Sequence, residues 1–139
     1  MRVIHIIPTL RKGGAERLVI DIVRELNTRK TISVALIVFN DIIEYDVSDI
    51  QDLIHIIPSR IELSLWRKNR YSVASLKAFI DNYQPDVIHS HLFEAEIVSR
   101  HCFYPSAKWF SHCHDNMQQF RNFGLYTLFS KKQAANFLE

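Results

Sequence analysis

Four of the seven histidines in this chain come as two pairs at strand spacing, His89 with His91 and His112 with His114. Alternate residues of a β-strand project to the same face, so each pair would set two imidazoles side by side, with Cys113 and Asp115 next to the second. Imidazoles and carboxylates held together can ligate zinc, and a carboxylate can orient a histidine that acts as a base. The spacing matches no common zinc signature, however, and backbone carbonyls or nearby carboxylates can satisfy both nitrogens of each ring. The polar rim of a binding cleft is therefore the leading reading, and a metal-dependent hydrolase using His89, His91, His112, His114 and Asp115 is its rival. His5 and His55 lie inside apolar runs and read as structural.

Gly13-Gly14 is the second candidate. Glycines directly before a helix allow close approach to the backbone, and the amides of a helix N-terminus favour an anion. A tight turn is the plainer alternative, and Glu16 could either cap the first helical turn or take a ligand role. The loop has neither the G-x-G-x-x-G spacing of a dinucleotide site nor the G-x-x-x-x-G-K-[ST] of a phosphate loop, and the chain contains no G-x-S-x-G and no H-E-x-x-H. These residues point to a cleft without naming a reaction.

The elements that must position them follow from hydrophobic patterning. Val3-Ile4-His5-Ile6-Ile7, stopped by Pro8, is a short run without polar alternation, as a strand covered on both faces requires. Leu18, Ile22, Val23 and Leu26 then recur at helical spacing through Asn27. Residues 32–39 and 53–58 give two more strands, the latter nearly repeating the first run, and 59–70 reads as a long basic connection. Val73, Leu76, Phe79, Ile80 and Tyr83 form a helical stripe ended by Gln84-Pro85. Strands at 86–91 and 108–112 follow, separated by a short helix over 94–101. The series predicts one α/β domain, an open parallel sheet with helices on both faces, in which the first strand lies between the second and fourth and the fifth lies beyond the fourth. Ligands bind such sheets outside the carboxyl ends of the strands, so loops 9–16, 89–94 and 112–116 should converge. The tail 116–139 is expected to be helical, with Phe120, Phe123, Tyr126, Phe129 and Phe137 requiring cover by this domain, a second domain or a membrane interface.

Composition narrows the classes further. With 47% hydrophobic and 23% charged residues the chain should fold around a core. A formal charge of +2 argues against a nucleic-acid partner; Arg60, Arg67, Lys68 and Arg70, diluted by Glu62, read as a solvated loop, with an anion or lipid-headgroup surface as the alternative. Cys102 and Cys113 form no C-x-x-C pair, no signal-peptide pattern precedes them, and no apolar run approaches the roughly 20 residues needed to cross a bilayer. A cytoplasmic location is expected, with a peripheral position at the inner face of the membrane as a further option.

Three motifs in order, Val3-Ile-His-Ile-Ile-Pro with Lys12-Gly-Gly-Ala-Glu-Arg, then Gln84-Pro-Asp-Val-Ile-His-Ser-His, then Phe110-Ser-His-Cys-His-Asp-Asn, make the chain resemble the amino-terminal domain of the family 4 retaining glycosyltransferases. These enzymes carry two facing Rossmann-like domains in the arrangement called GT-B. The resemblance implies transfer of a sugar from a nucleotide-sugar donor to a glycan, lipid-linked sugar or other hydroxyl acceptor, without cofactor or catalytic metal. It places Gly13 and Gly14 against the donor diphosphate and makes His114 the catalytic histidine that contacts the transferred sugar, with His112 as the register alternative. Glu16, His91 and Glu94 are the candidates for the acceptor side. In this family the groups that hold the nucleotide and stabilise its diphosphate, with the E-x7-E motif, belong to a carboxyl-terminal domain. The expectation is therefore that residues 1–139 are half of a cleft, inactive alone, whose other half is supplied in cis or in trans. A non-catalytic interaction module presenting the aromatic tail is a third reading.

Overall fold

The computed structural model describes residues 1–62, 70–102 and 104–112. His114, Cys113, Asp115, the tail 116–139 and the basic residues Arg67 and Lys68 lie outside them.

β1 (Arg2–Ile7), β2 (Ser33–Val38) and β3 (Ile54–Ile56) are joined by α1 (Gly14–Asn27) and a short turn at Gln51–Leu53. A small hairpin follows, β4 (Arg60–Glu62) with β5 (Arg70–Ser72), then α2 (Ala74–Tyr83), β6 (Val87–His91), α3 (Phe93–Ser99) and β7 (Lys108–His112). The five long-sheet strands are all parallel in the order β3-β2-β1-β6-β7, the adjacency expected from the apolar runs.

β1 and β2 are buried from both sides because side chains alternate between two apolar layers. Ile4, Ile6, Ala35, Ile37 and Ile88 pack with Leu76 and Ile80 of α2 and with Ala95 and Val98 of α3. Val3, Ile7, Val34, Leu36 and Val38 pack on the opposite face with Val19, Ile20 and Val23 of α1. Helices therefore cover both faces, α1 on one and α2 with α3 on the other.

Two local expectations are corrected. The buried stripe of α1 is Ala15, Val19, Ile20 and Val23, rotated from the anticipated Leu18-centred line, and Leu18 is 41% exposed. Both lines are apolar, so the period alone does not choose between them; the small Ala15 lets the helix start lie close to the sheet. The basic connection after β3 is partly ordered as the antiparallel β4–β5 hairpin, with Arg60 opposite Ser72 and Glu62 opposite Arg70. Three-residue strands carry too little alternation to be read from sequence.

α1 keeps its polar side toward solvent, where Arg17 pairs with Asp21 at 2.9 Å and Arg24 with Asp49 at 2.7 Å. α2 ends as its stripe predicts, with Gln84 in the left-handed region at φ 53° before Pro85, which cannot continue a helix.

Candidate functional site

Parallel register decides which side chains meet. His5 of β1 lies opposite His89 of β6, and His89 and His91 lie opposite Phe110 and His112 of β7. Register partners share a face, as do residues two apart in one strand. His5, His89, His91, Phe110 and His112 therefore occupy one face, the α1 side, since Val3 and Ile7 flanking His5 pack against α1.

The rings form a contiguous patch. Centroids of His89 and His91 are 4.0 Å apart, and His5 is 5.2 Å from each. His112 stands 6.1 Å from both His89 and His91. Exposure rises across the patch: His5 is 3% exposed and His91 fully buried, His89 is half-buried and His112 exposed, and Phe110 is 53% exposed.

At the buried end, His5 Nδ1 and His91 Nε2 share a hydrogen bond of 2.9 Å, one ring donating according to tautomer. Nε2 of His5 has no hydrogen-bond partner among the described residues. Burial, assisted by the neighbouring charge of His89, pushes the His5 imidazole down to about 4, so it is neutral at ordinary pH. Among the described residues, His5, His89 and His91 are the one group of three or more metal-ligating side chains placed to share an ion. His5, expected to be structural, belongs to the patch; only the β1–β6 register, invisible in a single apolar run, brings it there. His55 is half-buried on β3 and packs its ring 4.7 Å from Phe79, a structural role.

The glycine loop follows β1 and is tied to the segment after β2. Leu10 N–H donates to the Ile42 carbonyl, and Glu44 N–H to the Leu10 carbonyl, both at 3.0 Å. Lys12 N–H donates to Glu44 Oε2 at 2.9 Å, and the Tyr45 hydroxyl donates to the Gly13 carbonyl at 2.8 Å. Gly13 caps α1 in an extended conformation without a side-chain cap. The Glu16 carboxylate folds back over it, so that a Cβ on Gly13 would overlap that carboxylate. The carboxylate thus lies next to the amides of the helix start, which favour negative charge. A Cβ on Gly14 would meet nothing within 4 Å, and neither Gly13 nor Gly14 has positive φ. Open space lies over Gly14, and its backbone would accept a side chain.

Between these features runs the turn after β6. Leu92 has φ 67° and ψ 156°, a region nearly restricted to glycine. Its N–H donates to the His112 carbonyl at 3.2 Å, and its carbonyl accepts from Glu96 N–H at 3.2 Å. No sequence signal marks Leu92. Glu94 is exposed in the first turn of α3, yet partial burial of its carboxyl raises its pKa. His91, anticipated on the acceptor side, is closed off by the histidine patch; an acceptor contact from it would require that patch to open.

No family model, curated protein or solved structure matches the chain. The strand order and the helices themselves define an α/β fold with an open parallel sheet, and no helix among the described residues is long and apolar enough to cross a membrane.

Proposed function

We propose that the chain is the acceptor-side domain of a retaining sugar transferase resembling family 4, one half of a two-domain GT-B cleft. The strand order β3-β2-β1-β6-β7 supports this reading most directly. It makes neighbours of the three strands followed by the motifs of the resemblance, so Gly13-Gly14 and the Leu92–Glu94 turn follow the carboxyl ends of strands adjacent to one another and to β7. In this reading the donor diphosphate approaches the open side of Gly14, where α1 amides offset its charge. The Glu16 carboxylate must swing off Gly13 first, since two anions cannot share that terminus. The end of β7 supplies the histidine that meets the sugar, His114 or His112. The acceptor is a glycan or lipid-linked hydroxyl, and the latter would bring the domain to the inner membrane face.

The metal-dependent hydrolase has less support. Its best-formed group contains imidazoles only, two of them buried, and so offers no carboxylate base beside a metal-bound water among the described residues.

Release of nucleoside diphosphate from a panel of nucleotide sugars, with a hydroxyl acceptor present, tests the proposal. The chain alone should be silent and should become active when a carboxyl-terminal donor domain is joined in cis or added in trans. Half a cleft lacks the groups that stabilise the leaving diphosphate in the transition state. Robust transfer by the chain alone, or silence in every combination, would overturn it.

A further inference from the structure

We propose that His5, His89 and His91 form a binding site for a divalent transition metal, with Zn2+ the expected occupant. The inference goes beyond sugar transfer and does not depend on it.

The geometry is close to what an ion needs. One nitrogen from each ring lies within 4.8 Å of the other two, and the shortest leg, His5 Nδ1 to His91 Nε2, is 2.9 Å. Two nitrogens bound to a tetrahedral zinc at about 2.1 Å stand about 3.4 Å apart. That leg must open by only about half an ångström. By the same geometry, imidazoles sharing one ion have centroids about 5 Å apart, and His5 is 5.2 Å from both His89 and His91. His89 and His91, at 4.0 Å, must spread, and the half-buried His89 is the less enclosed of the two.

His5 turns Nδ1 toward His91, so Nδ1 is the nitrogen offered to an ion, and Nε2, buried without a hydrogen-bond partner among the described residues, carries the ring proton. Valine and isoleucine occupy positions 3 and 7 of the same strand face, so packing alone does not call for imidazole at position 5.

The donor set fixes the class of ion. Nitrogen ligands suit zinc, copper and nickel, whereas magnesium and calcium take oxygen. Three protein ligands leave a fourth position for water or a small anion, and the exposed His112 borders the patch.

The test uses the full chain without a polyhistidine tag, stripped of metal and titrated with Zn2+ by calorimetry and with Co2+ by visible absorption. One equivalent of zinc should bind with sub-micromolar affinity, Co2+ should give the d–d bands of a four-coordinate site, and zinc should raise the thermal midpoint. His89→Gln should weaken binding by at least the about 10- to 100-fold that loss of an outer-shell partner costs, with far-UV circular dichroism confirming the fold. His112→Ala should weaken it by less than about tenfold. If His5→Gln does not fold, the imidazole resonances of wild-type His5 decide, because they must shift on adding one equivalent. Binding only at millimolar zinc, or binding kept by His89→Gln and lost in His112→Ala, would overturn the proposal, as would His5 resonances that stay in place.

Discussion

Replacing Leu92 should invert the usual order of alanine and glycine. The residue is held at φ 67° and ψ 156° by bonds on both sides of it, from its N–H to the His112 carbonyl and from Glu96 N–H to its carbonyl. Its half-buried side chain packs into the α1-side core. Alanine removes the packing and keeps the strained backbone, whereas glycine removes both. Complete burial of a leucine contributes about 1.5–3 kcal/mol, so a half-buried one accounts for about 1 kcal/mol. Strain in this region is worth about 1–3 kcal/mol, against which glycine loses about 0.5–1 kcal/mol in added chain entropy. Leu92→Ala should therefore be less stable than the wild type by about 1 kcal/mol, and Leu92→Gly should lie about 1 kcal/mol above the alanine variant. Urea denaturation followed by far-UV circular dichroism reads this directly. With m near about 1–2 kcal/mol/M, the two midpoints should differ by about 0.5–1 M at unchanged m. An alanine variant as stable as the glycine variant would refute the strain argument.

Two further outcomes follow from the same coordinates. His5 is pushed down to about 4 from its ordinary 6.5. As pH falls below 6.5 the unfolded chain takes up a proton that the native, metal-free protein refuses, and stability declines until about pH 4, with a ceiling of about 3 kcal/mol. His89, His91 and His112 face the same patch, so the contribution is the difference between wild type and His5→Leu measured across that interval; parallel stability curves for the two would disprove it. For Gly14→Val, the absence of any neighbour within 4 Å and of positive φ predicts a folded protein destabilised by less than about 1 kcal/mol. In the complemented transferase the same variant should raise donor KM, and an unchanged KM would remove the anion from this helix start.

Much of the architecture was legible because β-branched runs and one helical stripe carry strong periodicity. The runs at Val3–Ile7, Ile32–Phe39 and Asp86–His91 each became a parallel strand of the sheet, and Leu76 and Ile80 turned inward as their spacing required. The α1 rotation was not legible, since two apolar lines compete there, nor was the β4–β5 hairpin, whose strands are too short for a pattern. At the site, His89, His91 and His112 could be read from period-two spacing. His5 could not, because one histidine in an apolar run says nothing about the strand beside it. Leu92 gave no signal at all: its conformation is imposed by the joining of β6 to α3, and its residue type argues against it.

The location of the patch follows from where the helix layer ends. On the α1 side of the sheet, β2 presents Val34, Leu36 and Val38, all packed in the core. One strand over, β1 presents Val3, His5 and Ile7, so a single polar ring enters between two apolar neighbours. On β6 the same face reads Val87, His89 and His91, and on β7 it reads Phe110 and His112, both exposed. α1 packs on the β1–β2 side, and the face changes from aliphatic to imidazole as its cover is left behind. Polar groups in mid-sheet are tolerable only where they find partners, and His5 meets half of that condition through His91. The His5 nitrogen without a partner among the described residues sits where the apolar layer gives way to the histidine patch, so the polar side of this face begins at β1 and runs outward through β6 to β7.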